Sequence, residues 1–215
     1  EEYVRDLSGI SFEKCAITLI SGDGKRTYKR TGPFLFTHTG VTGPAIFALS
    51  SESAYEGFGK DMPMKIHINF FPDENPEQFR KRFQEIFDKN VKKTIFNFLD
   101  IFLPKSLCSV FLARLNMKKD QGIANLAKEK KAEIINLMRN FELHAIGRGA
   151  GDEFVTAGGI DTAQVNTNTM ESKICPDLYF AGEILDMDGY TGGFNLQAAW
   201  ATGFLAGKSI AKRLG

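Results

Sequence analysis

The residues best suited to chemistry follow an apolar segment at 178–181, which is expected to form a strand. Gly182 and Glu183 stand at its end. Glycine lets a ligand approach the backbone closely, and a carboxylate accepts hydrogen bonds from the hydroxyl groups of a ribityl or ribose chain. The pattern therefore predicts that a nucleotide-like cofactor binds at the end of this strand.

A pair of glycines, Gly192 and Gly193, precedes the last helix, which is predicted at about 194–213. The first N–H groups of a helix have no partner inside the helix and carry a partial positive charge. They would suit the electron-rich N1/O2 edge of an isoalloxazine ring, above all in its reduced, anionic form. Small side chains recur at every fourth position of this helix and would allow close packing on a sheet: Ala199, Gly203, Gly207 and Ala211. The alternative is a glycine-rich loop that caps an ordinary helix.

A second glycine-rich segment, at 147–151, resembles a dinucleotide-binding loop only in its alternating glycines. Such a loop requires a helix directly after it, so that the helix N-terminus meets the pyrophosphate. Residues 153–157 instead have the composition of a strand, and we interpret 147–151 as a turn. Arg148 could bind a phosphate or a carboxylate, although a solvated side chain is the simpler interpretation.

The candidate catalytic residue is His38, just before the Thr-Gly-Pro sequence that opens a helix at about 44–54. Imidazole titrates near neutral pH, so His38 could transfer a proton at a substrate or a flavin. It could equally bind backbone in a tight turn. No spacing typical of a metal site or a Ser/His/Asp triad is found, and the three cysteines form no Cys-x-x-Cys pair. This pattern argues against hydrolases and metalloenzymes and predicts reduced thiols in a cytoplasmic protein.

Charge and composition argue against other classes of function. The formal net charge is +1, and no apolar run approaches the roughly 20 residues of a transmembrane helix. Basic and acidic residues are mixed in the helical part, which argues against a nucleic-acid-binding helix-turn-helix. Phenylalanine occurs 19 times, mostly in the first two-thirds of the chain, and predicts an aromatic core there.

Hydrophobic periodicity predicts strands first, then helices, then a return to strands before the final helix. Asp23-Gly24 is typical of a hairpin turn, and Asn75-Pro76 is typical of a helix N-terminus. The predicted strands are 14–20, 25–30, 32–37, 64–70, 141–146, 153–157 and 178–181, and four helices are predicted within 75–139.

Four segments of the sequence resemble conserved blocks of the BaiN-like, or aminoacetone-oxidase-like, bacterial flavoproteins. They occur in the same order as in that family. They are Phe36-Thr-His-Thr-Gly-Val-Thr-Gly-Pro-Ala-Ile46, Val155-Thr-Ala-Gly-Gly-Ile-Asp161, Thr169-Met-Glu-Ser172 and the stretch 178–197. The resemblance implies an α+β fold in which an FAD-binding domain of the two-dinucleotide type is split by an insertion module. It implies that 1–140 is the insertion, with a β-barrel-like subdomain at 1–72 and a helical one at 73–140, and that 141–215 is the C-terminal part of the FAD-binding domain.

The resemblance also implies which residues hold the flavin. Gly182 and Glu183 match the strand-end motif that faces the ribityl chain, and Asp186 and Asp188 match an acidic turn beside the flavin. The segment along the flavin is matched by Gly192, Gly193, Phe194, Asn195 and Gln197.

Members of this family begin with a Gly-rich βαβ unit for the ADP part of FAD, which this sequence does not contain. We therefore expect a C-terminal fragment of an FAD-dependent oxidoreductase that is inactive alone, whose flavin exchanges hydride with an organic substrate or NAD(P)H. The alternative is a non-catalytic interaction or oligomerisation module, for example in a homodimer. Nucleic-acid binding through the helical subdomain is a weaker alternative.

Overall fold

The computed structural model describes residues 2–149, 157–190 and 192–214. The chain forms two compact units. Unit 1 comprises residues 1–49 and 55–149, and unit 2 comprises residues 50–54 and 150–215. Most of the strand predicted at 153–157 and the end of the turn predicted at 147–151 lie outside the described residues.

Unit 1 is built on an antiparallel half-barrel sheet of five strands in the order β3-β2-β1-β4-β5. The strands are β1 (Ser11–Ile20), β2 (Thr27–Phe36), β3 (Val41–Thr42), β4 (Met64–Asn69) and β5 (Phe141–Ala145). The first two form the predicted hairpin. The Ser21 hydroxyl holds its turn, because it donates to Asp23 at 2.7 Å and accepts the Arg26 N–H at 2.9 Å.

The prediction of a separate strand at 32–37 is wrong, because β2 continues without a break to Phe36. Opposite Pro33, the partner strand β1 bulges, and its register shifts between Phe12 and Cys15. Proline has no N–H to donate, so a bulge is a place where a sheet can accommodate it.

Strand β4 confirms the predicted alternation, since Met64, Ile66 and Ile68 are buried and the residues between them are not. Its second neighbour is β5, with Ile66 opposite Leu143. The strand predicted at 141–146 therefore belongs to the sheet of unit 1, whereas the division at residue 140 placed it in the C-terminal part. The assignment of an insertion module and an FAD-domain segment stays a prediction.

A 3-10 helix, Glu2–Leu7, begins the described part of the chain, in which five α-helices precede β5: α1 (Pro44–Glu52), α2 (Pro76–Lys89), α3 (Ile95–Leu99), α4 (Lys105–Arg114) and α5 (Lys128–Arg139). Helix α2 begins with the predicted cap. The Asn75 side chain accepts the N–H groups of Glu77 and Gln78, and the Gln78 side chain accepts the Asn75 N–H. These reciprocal bonds satisfy N–H groups that the helix itself leaves without a partner.

The predicted aromatic core of unit 1 is confirmed. Phe83 stacks on Phe102 with ring centroids 5.5 Å apart, and Phe111 stacks on Phe141 at 5.6 Å. The rings join the helices to the sheet, since Phe111 lies on α4 and Phe141 begins β5. Aromatic pairs of this kind contribute about 0.5–1.5 kcal/mol each beyond the area they bury.

Unit 2 contains the predicted final helix, α6 (Phe194–Leu214), but no regular strand among its described residues. The prediction of a strand at 178–181 is wrong. Its pairing among the described residues is an isolated bridge between Glu171 and Tyr179, flanked by hydrogen bonds from the Ser172 N–H to the Leu178 carbonyl at 2.7 Å and from the Phe180 N–H to the Met170 carbonyl at 3.0 Å. A strand needs a neighbour along its whole length, and the described part of unit 2 provides none.

The hydrophobic core of unit 2 is small. Four buried side chains form it, and five more pack partly against it: Val165, Met170, Leu185 and Ala206, then Ile160, Tyr179, Phe180, Met187 and Leu205. None of the described helices of either unit is long and apolar enough to cross a membrane.

Candidate functional site

Gly182 is fixed against α6 rather than left at a free strand end. It opens a short 3-10 helix, Gly182–Ile184, with a φ of +77° that favours glycine. Its N–H donates to the Thr202 hydroxyl at 3.0 Å, and that hydroxyl donates to the Ala198 carbonyl at 2.7 Å. A Cβ on Gly182 would lie 3.9 Å from the Ala199 Cβ. The structure therefore brings Gly182 and α6 together through a buried threonine.

A second segment lies beside Gly182–Ile184. Ile160 and Leu185 form a parallel bridge, in which the Ile160 N–H donates to Ile184 at 2.8 Å and the Asp186 N–H donates to Ile160 at 2.9 Å. Gly159 permits this approach, because a Cβ there would stand 2.4 Å from the Ile184 carbonyl oxygen. The family-like blocks at 155–161 and 178–197 therefore meet in space, at least in their described residues.

Asn195, predicted to lie along the flavin, bonds backbone in the preceding turn. Its Oδ1 accepts the Gly189 N–H at 2.7 Å, and its Nδ2 donates to the Gly189 carbonyl at 2.8 Å. Both polar groups of its carboxamide are thus used to hold the turn between residues 186 and 190, which we call the acidic turn. The side chain positions the start of α6 relative to that turn.

Of the two glycines before α6, Gly193 has open space beside it, whereas a Cβ on Gly192 would contact the Phe194 ring at 3.7 Å. Gly192 and Gly193 have φ values of +129° and +90°, and a Cβ on Gly193 would meet no atom within 4 Å. The side chains of Glu183, Phe194 and Gln197 are exposed. Space for a Cβ is therefore open at Gly193, and a flavin-binding role for these residues stays a prediction.

The acidic turn is held from the end of α1, whose last residues belong to unit 2. The Ser51 hydroxyl donates to Asp188 at 2.6 Å, and the Tyr190 hydroxyl donates to Glu52 at 2.6 Å. Asp186 is exposed. Sequence reasoning missed Ser51, Glu52 and Thr202, because their partners lie 137, 138 and 20 positions away.

His38 lies in unit 1, in a turn that Thr37 holds. The Thr37 N–H donates to the Gly40 carbonyl at 2.8 Å, and the Gly40 N–H donates to the Thr37 hydroxyl at 3.1 Å. The imidazole of His38 is exposed. The backbone of this turn is therefore held by Thr37, and a catalytic role for His38 stays a prediction.

One face of α6 exposes large apolar side chains. Leu196, Trp200 and Phe204 are spaced by one helical turn and are 67%, 75% and 69% exposed. We call these three residues the apolar face of α6. Beside it, Cβ atoms on Gly203 and Gly207 would meet nothing within 4 Å. Close packing is predicted for the small residues that recur at every fourth position of α6. Among the described residues, only the contact of Ala199 with Gly182 provides it.

Other candidate chemistry is limited. Among the described residues, no group of three or more His, Cys, Asp or Glu side chains could hold a metal ion. Burial raises the pKa of both Cys15 and Cys108 to about 12, so these thiols are poor nucleophiles near neutral pH. The guanidinium of Arg148 lies 5.1 Å from the centre of the Phe58 ring, which favours a packing role.

Comparison with known proteins finds one matching family model and several similar curated proteins. Residues 1–153 match the family described as HI0933-like protein barrel and H2TH domain. A ribosomal RNA dihydrouridine synthase of Haemophilus influenzae is 30% identical over 214 residues, 99% of this chain and 49% of that protein. A 3-dehydro-bile acid delta(4,6)-reductase of Clostridium scindens is 33% identical over 184 residues, 85% of this chain and 45% of that protein. The chain thus spans about half the length of the curated relatives it matches.

Proposed function

Since the chain belongs to the HI0933-like family with a barrel and H2TH domain, in agreement with its BaiN-like sequence blocks, we propose that it is the C-terminal portion of an FAD-dependent oxidoreductase. In this proposal unit 2 positions the flavin and unit 1 is the module inserted into the FAD-binding domain. The remainder of that domain belongs to polypeptide that precedes this segment.

The observation that carries the proposal is the incomplete packing of unit 2. The apolar face of α6 is exposed, and the buried core of unit 2 contains only four hydrophobic residues. A folded domain rarely leaves such a contiguous face in water unless another surface covers it. The bare Gly203 and Gly207 beside this face would let a sheet approach α6 closely. A Gly-rich βαβ unit with a sheet would supply such a cover.

The following features of the described residues support binding of the flavin half of FAD. The space at Gly193 is open, and the first N–H groups of α6 would hold the N1/O2 edge of the ring. Glu183 would accept hydrogen bonds from ribityl hydroxyls. When bound, FAD supplies hydride-transfer chemistry. No contact with the cofactor is required of Asn195, Thr202 or Gly159. Their role would be to position the backbone segments that line the flavin site.

The names of two relatives point to one reaction class. A dihydrouridine synthase saturates the C5=C6 bond of a uracil ring, and a delta(4,6)-reductase of a 3-dehydro acid acts on double bonds conjugated to a ketone. Both substrates are alkenes conjugated to a carbonyl. Reduction adds a hydride to the carbon at the far end of the conjugated system and a proton to a carbon nearer the carbonyl. We place this chain in a reductase of that class, with His38 as the candidate proton donor and NAD(P)H as the source of electrons.

The test compares this 215-residue chain with a polypeptide extended through the coding sequence upstream of it. The extended protein is expected to purify yellow and to oxidise NADPH in the presence of a conjugated enone, whereas the shorter chain is colourless and inactive. Flavin absorption bands in the purified shorter chain would contradict the proposal that FAD binding requires the upstream polypeptide. An extended protein without flavin would overturn the oxidoreductase.

A matched pair of variants tests the glycine turn in the extended protein. Gly193→Asn fills the open space with a residue that tolerates positive φ, and it is expected to weaken FAD binding at least about tenfold, or about 1.4 kcal/mol. Gly24→Asn is the control, because Gly24 also has positive φ and open space but lies in the hairpin of unit 1. Equal flavin affinity in both variants would contradict the assignment.

A second candidate function is self-association through the apolar face of α6. Its exposed Trp200 and Phe204 favour this alternative, since aromatic residues are enriched at interfaces. Sedimentation of the 215-residue chain distinguishes the two, because a monomer at micromolar concentration would remove the support for a homodimer.

A further inference from the structure

We propose that two adjacent turns in unit 1 form a surface that binds the phosphodiester backbone of an RNA substrate. The surface consists of five exposed lysines, which we call the lysine face: Lys89, Lys92, Lys93, Lys118 and Lys119. This inference rests on the proposed function, because it selects RNA from the conjugated carbonyl substrates considered above. It assigns unit 1 a role in holding the substrate.

The tertiary structure brings the two lysine-bearing segments together. Thr94 and Gly122 form an antiparallel bridge. On either side of it, the Ile95 N–H donates to the Gln121 carbonyl at 2.7 Å and the Ile123 N–H donates to the Lys93 carbonyl at 3.2 Å. The first segment turns between Asn90 and Lys93 and the second between Lys118 and Gln121. Four of the lysines therefore lie in turns at the two ends of one short, hydrogen-bonded ribbon, and Lys89 ends α2 just before the first turn.

The five lysines differ from some other lysines of unit 1 in having no ion-pair partner among the described acidic side chains. No described carboxylate forms an ion pair with any of the five, whereas Lys14 pairs with Asp73 and Lys130 pairs with Glu133 in the same unit. The acidic residues in the two segments are Asp88, which accepts a hydrogen bond from Gln84 at 2.7 Å, and Asp120. Unpaired exposed cations hold mobile counterions, whose release favours binding of a polyanion.

The charge of the helical segment agrees with this location. Residues 73–140 contain 14 Lys and Arg against 9 Asp and Glu, a surplus of five, although the whole chain has a net charge of +1. The mixed order of charges along the sequence conceals this surplus.

RNA fits the lysine face better than an acidic protein does. Lysines at both ends of a short ribbon can each contact a different phosphate of one strand, and each ammonium acts as a point charge without a required plane. The Lys119 ammonium lies 5.3 Å from the centre of the partly buried Phe96 ring, a cation–π contact that favours one position of an exposed charge. Two relatives of the chain are named as ribosomal RNA dihydrouridine synthases.

The experiment measures binding of a fluorescein-labelled, uridine-containing single-stranded RNA of about 20 nucleotides to the full chain by anisotropy. The test variant is Lys93→Gln/Lys119→Gln, with one substitution in each turn. The matched control, Lys60→Gln/Lys208→Gln, removes two exposed lysines elsewhere. At 0.1 M salt the test variant is expected to bind at least tenfold more weakly. Its slope of log K against log salt should be shallower by about 1.4, since each lost phosphate contact removes about 0.7.

Several outcomes would overturn the inference. They are undetectable RNA binding by the wild type, equal weakening in test and control variants, or equal affinity for poly-glutamate, which would indicate a general polyanion surface. Circular dichroism and thermal unfolding of each variant verify the fold, and Lys92→Gln/Lys118→Gln provides a second test should the first variant unfold.

Flavin content separates this inference from the proposed function. An extended protein that purifies yellow and reduces a small enone, but does not bind RNA through the lysine face, would overturn the inference alone. RNA binding by an extended protein without flavin would overturn the proposed oxidoreductase and leave the lysine face intact.

Discussion

The carboxamide of Asn195 bonds both polar groups of the Gly189 backbone, so that one side chain links the first turn of α6 to the acidic turn. Because both bonds are partly buried, Asn195→Ala is expected to cost about 1–3 kcal/mol of unfolding free energy. The thermal midpoint of the chain should fall by several degrees. Gln197→Ala is the matched control, since Gln197 lies on the same helix with an exposed side chain. An Asn195→Ala midpoint equal to that of the control would refute this role.

Gly159 should tolerate no side chain. Gly159→Ala is expected to cost at least about 2 kcal/mol, because a φ of +144° strains alanine and its Cβ would press on the Ile184 carbonyl. Gly158→Ala separates the two causes, since Gly158 also has positive φ, +104°, but has open space around it. Denaturant unfolding should rank the wild type above Gly158→Ala and Gly158→Ala above Gly159→Ala. Equal costs at the two positions would mean that contact with Ile184 contributes nothing.

Trp200 is the one tryptophan in the sequence, and it reports on the apolar face of α6. The 215-residue chain should emit at the long wavelengths of a hydrated indole and be strongly quenched by acrylamide, because this side chain is 75% exposed. In the extended protein the emission should shift to shorter wavelength and the quenching should fall. Trp200→Ser should leave the stability of the shorter chain within about 0.5 kcal/mol of the wild type. Blue-shifted emission from the shorter chain as a monomer would contradict exposure of this face.

Stability should decrease in alkaline solution because two thiols are buried. Burial raises the pKa of Cys15 and Cys108 to about 12 in the folded chain, whereas unfolded cysteines ionise near pH 8.5. Above that pH the unfolded state binds fewer protons than the native state, so the free energy of unfolding falls as pH rises towards 12.

Urea unfolding between pH 7 and pH 10.5 measures this decrease, and Cys108→Ala should make the fall with pH shallower. A thiol reagent at neutral pH provides an independent check, because only the exposed Cys175 of the three cysteines should react rapidly before unfolding. Rapid reaction of all three would place the buried thiols in a more open structure.

The parts of the fold that could be predicted from the sequence depend on short-range interactions. Asp23-Gly24 tolerates a tight turn, and Asn75 caps the helix that begins one residue later, so each pattern contains its own physical cause. The strand at 178–181 could not be judged this way. Its apolar composition is typical of a strand, but strand formation requires a partner, and the described partner is a single bridge at Tyr179.

The candidate site likewise contains features that could be predicted from the sequence and features that could not. The glycines before α6 and the carboxylate of Glu183 are visible in the sequence, since positive φ and a helix N-terminus leave local signals. The contacts of Gly182 with Thr202 and of Asp188 with Ser51 leave no local signal in the sequence. In the sequence, a threonine or serine whose hydroxyl bonds a distant backbone or carboxylate group looks the same as any other threonine or serine.

The sequence by itself determined the local elements and the chemical character of the glycine turn, because backbone preferences and hydrophobic periodicity act over a few residues. Only the tertiary structure decided that β5 completes the sheet of unit 1, that two lysine-bearing turns share one ribbon, and that an aromatic face of α6 is left exposed. These features depend on which distant segments pair, and that choice is made by the burial and hydrogen bonding of the whole chain rather than by any one segment of it.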